Sequence, residues 1–350
     1  MTMSDLDPGY QLLVCRYLRD RLDALAGELH AVRCNEDIEP VHQARVASRR
    51  IRAALRMFAD CFEPETLAGW ERQIKRLTKE LGAARDKDIQ IEFIREFLCG
   101  PSGKDPRHRP GVERLLLRLT QSRAAMQPGV LAVLDRLDRK RTLAQIYGRL
   151  EEMLFSIRSQ ETDKYGPYVR EMAAAHIRDR RTEFSSCEPA LEDPANARGH
   201  HQLRIAAKKL RYALEICAPA YDGQLAPVIR MVRQVQSFLG DIHDCDVWTQ
   251  DIDRFMDEEQ RATTEYYGQS RPFNRLRPGL LSVREERLNH RRLVFQQLIE
   301  YRKTPEVADA WKTLDEALQS TVAASGAPGG QPQDRQIDGG QEPVAKNRVA

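Results

Sequence analysis

Five side chains, His42, Arg45, Arg49, Arg52 and Arg56, recur along the chain at intervals of three and four residues. At about 100° per residue on an α-helix they fall within one arc of roughly 80°, with Arg50 beside them. Ala44, Ala47, Ile51, Ala54, Leu55 and Phe58 fall on the opposite side. A cationic edge of this kind is suited to holding an anion rather than to transferring protons. Arginine presents a planar fork to phosphate oxygens, and lysine a point charge. Like charges one turn apart repel one another, so such an edge requires either bulk water or an anionic ligand. A solvated basic face is the ordinary meaning of one such helix.

The edge occurs twice. Residues 201–217 align with 42–58 without a gap, so that His42 matches His201, Arg45 matches Arg204, Arg49 and Arg50 match Lys208 and Lys209, and Arg52 matches Arg211. The apolar positions repeat as well: Val46 with Ile205, Ile51 with Leu210, Leu55 with Leu214. Solvation gives no reason to keep histidine and cations at fixed offsets, so the repetition favours a site. A second element repeats downstream, 74–90 against 232–248, bringing Leu81-Gly82 onto Leu239-Gly240, Asp86 onto Asp244 and Asp88 onto Asp246. On a helical projection Arg72, Lys75, Lys79, Gly82 and Asp86 share one edge; Arg230, Arg233, Ser237, Gly240 and Asp244 share the other. Glycine in mid-helix costs about 1 kcal/mol against alanine, which implies close approach of a neighbouring helix. Asp86 and Asp244 are expected to pair with arginines of the basic helices and, with Asp88 and Asp246, to hold those arginines in place.

The elements that must position these groups read as helices throughout. Helical patterns cover 9–31, the stretch from Pro40 to near Pro64, 65–98, and 112–126; a break is expected at Pro128-Gly129, followed by helix to about 159. The second half repeats the order at 162–184, 200–217, 224–259, 280–303 and 305–320, with a polar stretch at 263–279. No period-two alternation of strand length occurs, so the fold is expected to be all-α. The domains read as 5–159, 160–320 and a Gly-, Pro- and Gln-rich disordered tail at 321–350.

Composition agrees with this division. The chain has 350 residues, 31% of them charged and 7% aromatic, and a formal charge of only +3, so its basic character is local and no general nucleic-acid coat is implied. The seven cysteines are scattered with no Cys-x-x-Cys or Cys/His cluster, which implies buried or half-buried thiols of a reducing cytoplasm and no structural zinc. No signal peptide or membrane span is read, and no cofactor motif.

On the runs HxxRVxxRRxRxxLRxF at 42–58, HxxRIAAKKLRYALE at 201–215, and LGxxRDxD and LGxxHDxD at 81–88 and 239–246, the chain resembles the CHAD (conserved histidine α-helical domain) family over roughly 5–320. The resemblance implies two pseudo-symmetric four-helix bundles with long basic helices lining a central channel. It further implies binding of inorganic polyphosphate there and association with polyphosphate granules and their proteins in the cytoplasm. Many relatives carry a triphosphate-tunnel catalytic domain, for which this sequence leaves no room before residue 10. Two departures stand out, Glu215 at the place of Arg56 and Ser237 at the place of Lys79, and both remove a cation from the second half.

From residue 42 to 52 the edge spans about 15 Å, enough to follow several phosphates. No aromatic residue recurs along either edge, so platforms for stacking bases are missing; nucleic acid is the weaker expectation. A metal-dependent phosphohydrolase built on His42, His201, His243, Asp244 and Asp246 is the other rival, weakened because Arg85 stands where His243 stands and arginine does not ligate metal. The expectation is therefore one continuous anion site and no catalysis. His42 and His201 are expected at helix N-termini, where free N–H groups favour an anion; the alternative is that each hydrogen-bonds Asp86 or Asp244.

Overall fold

A computed structural model describes residues 6–157 and 165–325. Those residues form ten α-helices joined by short turns and 3₁₀ segments, with no strand among them. The helices are α1 (Pro8–Cys34), α2 (Glu39–Met57), α3 (Pro64–Cys99), α4 (Arg109–Arg139), α5 (Thr142–Ile157), α6 (Pro167–Cys187), α7 (Ala197–Cys217), α8 (Ala226–Tyr267), α9 (Arg277–Tyr301) and α10 (Pro305–Ser325). The all-α expectation holds. The expected helix start at 162, the boundary between 159 and 160, and most of the tail fall outside the described residues; 321–325 belong to α10.

Each half packs its helices in the same sequence of neighbours. In the first, α2 lies between α1 and α3, α3 lies against α4, and α5 returns to α1. In the second, α7 lies between α6 and α8, α8 lies against α9, and α10 returns to α6 and α8. The basic helices show why. On α2 the residues Ala44, Ala47, Ile51, Ala54, Leu55 and Phe58 are all buried, so the face opposite the cations is the packing face. On α7, Leu203, Ala206, Ala207, Leu210 and Leu214 serve the same purpose. Val46 and Ile205 do not; they are half-buried and exposed respectively, because they sit towards the cationic edge.

Three boundaries differ from the sequence reading. Helix α4 runs straight through Pro128-Gly129, since the buried stripe Val112, Leu115 and Leu119 continues beyond the proline as Val130, Leu134 and Leu137. Packing outweighs the lost N–H. The true break comes at Arg141, which takes φ 50°. Helix α8 continues to Tyr267 and closes on Gly268 at φ 71°, a left-handed cap that glycine adopts without steric cost. Cys34 and Cys99 are exposed, not buried; Cys15, Cys61, Cys217 and Cys245 are buried.

The halves are not independent bodies. One apolar core contains buried residues of α1, α2 and α3 together with residues of α6, α7 and α8. A second joins Ile91, Ile94 and Phe97 of α3 and Val112 and Leu115 of α4 to Trp248 and Ile252 of α8 and Leu280 and Val283 of α9. Beside it the first turns of α4 and α9 cross, each beginning Arg-Pro-Gly (109–111 and 277–279). A Cβ on Gly111 would collide with the Leu276 carbonyl, and one on Gly279 with the His108 carbonyl. Residues 108 and 276, like 111 and 279, are 168 positions apart. The contact is therefore reciprocal.

Candidate functional site

The repeated glycines lie beside the central cations. A Cβ on Gly82 would lie 3.4 Å from Arg45 Nε, and one on Gly240 would lie 3.9 Å from Arg204 Nε. Each mid-helix glycine thus lies against an arginine of the basic helix, at a distance that a Cβ would also tolerate. The sequence reading expected a helix backbone there; the neighbour is a guanidinium. Beside each arginine a carboxylate accepts the charge, Asp86 at 3.5 Å from Arg45 and Asp244 at 3.9 Å from Arg204. Both arginines are largely buried, at 22% and 19% side-chain exposure, while Asp86 and Asp244 are more than half exposed. The expected pairing of Asp86 and Asp244 with the basic helices is what the structure shows, and Arg45 and Arg204 are fixed in direction by it.

Between these pairs, α2 and α7 bring their cationic edges together. Arg49 donates to the Tyr212 hydroxyl from Nε (3.2 Å) and Nη2 (2.8 Å), which draws it across onto α7 within the field of Lys208, one turn before Tyr212. Among the described residues Lys208 has no carboxylate partner, and it is half-buried. Burial and then the charges of Arg49, Arg204, Arg45 and Arg211 push its ammonium down to about 7. Burial also lowers Arg45, with Arg49 and Arg204 adding to the effect. Four cations from two helices therefore converge on one volume, bordered by Asp86 and Asp244, which lie close enough to act on one another.

The outer cations are differently used. Glu215 gathers Arg50 (3.1 Å), Arg233 (3.5 Å) and Arg211 (3.8 Å). The departure read as a lost cation is thus the centre of an ion-pair cluster that ties α2, α7 and α8 together. Arg56 is paired with Glu71 at 3.0 Å and Lys209 with Glu183, whereas Arg50, Arg211 and Arg233 share the single charge of Glu215 and remain net cationic. Arg52 is half-buried, and burial lowers its guanidinium. Arg72, Lys75, Lys79 and Arg230 are exposed on α3 and α8, outside the converged group.

Asp88 and Asp246 do not hold the basic helices. Asp88 accepts from Arg123 of α4 at 2.7 Å in a buried pair (9% and 3% exposure), and Asp246 accepts from Arg291 of α9 at 2.5 Å. Arg123 and Arg291 are also 168 residues apart, as are the two Arg-Pro-Gly turns. The sequence reading missed them because that offset differs from the ones relating the basic helices (159) and the long helices (158).

The histidines sit one turn inside their helices, not at free N-termini. His42 donates its backbone N–H to the Ile38 carbonyl, and α7 starts four residues before His201. Neither contacts Asp86 or Asp244. His201 Nδ1 lies 3.2 Å from His243 Nδ1. Burial, Arg204 and His201 push His243 down to about 4, so that pair is neutral at physiological pH. In the first half Arg85 occupies the place of His243; burial, with the Arg85 charge, lowers His42, and its Nδ1 is buried without a partner. Arg85 itself is 14% exposed and has Glu92 at 3.7 Å. The matched position thus holds a cation beside His42 in the first half and a neutral imidazole beside His201 in the second.

Among the described residues no three His, Cys, Asp or Glu side chains are grouped as metal ligands, and Asp244 and Asp246 are occupied by Arg204 and Arg291. No helix among them is long and apolar enough to cross a membrane.

Comparison with known proteins fits this geometry. The CHAD domain family matches residues 16–253. Among solved structures the chain is similar to the CHAD domain from the plant Ricinus communis, with 19% identity, 90% of this chain and 94% of that one covered, and a TM-score of 0.56. It is also similar to PptA from Streptomyces chartreusis, with 17% identity, 83% and 99% coverage, and a TM-score of 0.50. No curated protein matches it. With the paired basic helices, the glycines beside Arg45 and Arg204 and a family match over most of its length, the chain belongs to the CHAD domain family.

Proposed function

We propose that this protein binds inorganic polyphosphate along one continuous site formed by the edges of α2 and α7, without hydrolysing or transferring it. On this reading the two halves are pseudo-symmetric bundles that line a common basic channel, and the protein acts in the cytoplasm at polyphosphate granules. The observation that carries it is the convergence of Arg45, Arg49, Arg204 and Lys208, in which a lysine is pushed down to about 7 by burial and by its arginine neighbours. An anion placed among them relieves that repulsion. Arg45 and Arg204 are already desolvated and aimed, so a phosphate chain meets oriented donors rather than flexible ones. Displacement of counterions from the chain supplies a further, salt-dependent term.

The polar groups of this cluster are mostly cations, which supports binding over catalysis. The test is a titration of the full chain with polyphosphates of defined length, against single-stranded RNA of matched charge. Polyphosphate should bind more tightly, and Arg45→Glu should weaken it as much as Arg204→Glu does. Equal affinity for RNA, two independent affinities, or steady release of orthophosphate by pure protein with Mg²⁺ would each overturn the reading.

A further inference from the structure

Lys208 is the single amine among the four converged cations. Its counterpart in the first half is Arg49, which has no nucleophilic form at neutral pH. The amine lies one turn from Arg204 and from Tyr212, and Tyr212 holds the Arg49 guanidinium at 2.8 Å. Among the described residues no carboxylate pairs with it, whereas its neighbour Lys209 is paired with Glu183. The groups that face Lys208 are Arg204, Arg211 and His201 on its own helix, Arg45 and Arg49 on α2, and His243 on α8. A small phosphate-bearing electrophile entering this volume would therefore find its phosphate held by guanidinium groups, beside an amine that no ion pair occupies.

We propose that Lys208 is a site of acylation by acyl phosphates, with Arg45, Arg49 and Arg204 receiving the phosphate group of the donor. The Lys208 amine, neutral in a large share of molecules near pH 7, attacks the acyl carbonyl carbon. A C–N bond forms, the carbon–oxygen bond to phosphate breaks, inorganic phosphate leaves with the bonding pair, and the excess proton passes to water. No oxidant or further reactant is needed. The product amide carries no charge, so acylation removes one of the four cations and weakens the hold on a polyanion. The inference rests on the anion-binding reading of this cluster and not on polyphosphate as its ligand.

The experiment is incubation of the full chain with acetyl phosphate from pH 6 to 9.5, with the occupancy of each lysine followed by peptide mass spectrometry. Lys208 should acetylate about tenfold faster than the exposed Lys75 and Lys79 at pH 7.5, and its rate should level off above about pH 8, past the value of about 7 to which it is pushed. The uncharged donor acetyl N-hydroxysuccinimide should favour Lys208 less. Modification of Lys208 no faster than Lys75 would overturn the proposal, and equal selectivity with the uncharged donor would overturn the role given to the arginines. Saturating polyphosphate should protect Lys208 alone. Selective acetylation without such protection would leave this inference standing and count against polyphosphate binding, whereas tight polyphosphate binding with unselective acetylation would do the reverse.

Discussion

At Lys208 the pH dependence of binding has a definite sign. Its ammonium titrates near 7 in the free protein, and a bound polyanion stabilises the charged form and raises that value. Binding then takes up a proton above pH 7, so affinity should be highest below about pH 7 and fall as pH rises towards 9. Lys208→Arg, which installs the residue of the first half, should flatten that decline; an unchanged slope by isothermal titration would show that another group is responsible. The histidines titrate lower, since burial and neighbouring cations depress His42, His201 and His243, and they add to affinity only in more acid solution. The mid-helix glycines give a second prediction. Gly82→Leu puts a side chain into a buried position against Arg45, so it should lower thermal stability by about 1–3 kcal/mol through overpacking, while displacing Arg45 and weakening polyphosphate binding severalfold. A variant as stable as the wild type and fully competent would mean that Arg45 does not depend on this position.

Among the elements, the two basic helices were legible because two signals coincided in them: cations at three- and four-residue spacing on one edge, and alanine and leucine on the other. The pairing of Asp86 and Asp244 with Arg45 and Arg204 was legible from the projection alone. What the projection could not show is which side a carboxylate faces when two helices compete for it. Asp88 and Asp246 lie two positions on from Asp86 and Asp244, about 200° around the helix, and so turn to α4 and α9. Glu215 was misjudged for a related reason, since its partners Arg50 and Arg233 come from other helices. Burial of the Arg123–Asp88 pair sets a measurable cost. Asp88→Ala should destabilise the fold by about 3–5 kcal/mol, because a buried guanidinium is left without its counter-charge. Loss of the Glu183–Lys209 pair, which is more exposed, should cost under about 1 kcal/mol. Urea unfolding of the two variants checks the contrast.

For the molecule as a whole, the buried cores run across both halves. That sharing was illegible because each apolar stripe looks the same whether it meets its own half or the other. The Arg-Pro-Gly crossing of α4 and α9 is the most exacting of these shared contacts. Gly111→Val would push a side chain into the Leu276 carbonyl and should lower Tm by several degrees, and a variant as stable as the wild type would show that the crossing gives way cheaply. Acid should act on the whole fold too. His243, pushed down to about 4, takes up fewer protons when folded than when unfolded. Stability should therefore fall as pH drops from about 6.5 towards 4, read as a declining Tm.

The reciprocal placement of Gly111 against Leu276 and of Gly279 against His108, together with matched arginines beside Gly82 and Gly240, has a consequence for polarity. On the proposed reading, a site whose halves match at Arg45 and Arg204 and differ at Arg49 against Lys208 and at Arg85 against His243 distinguishes only weakly between the two directions of a polymer. Nucleic acid strands and polypeptides have a direction, and each would settle in two opposed orientations with little preference. A linear phosphate chain has no direction to lose: reversed end for end, it is the same molecule. A strand of RNA held on the proposed site and labelled at one terminus should show both orientations by fluorescence transfer to a dye at Cys99, whereas polyphosphate, on the same reading, would present the same groups whichever end leads.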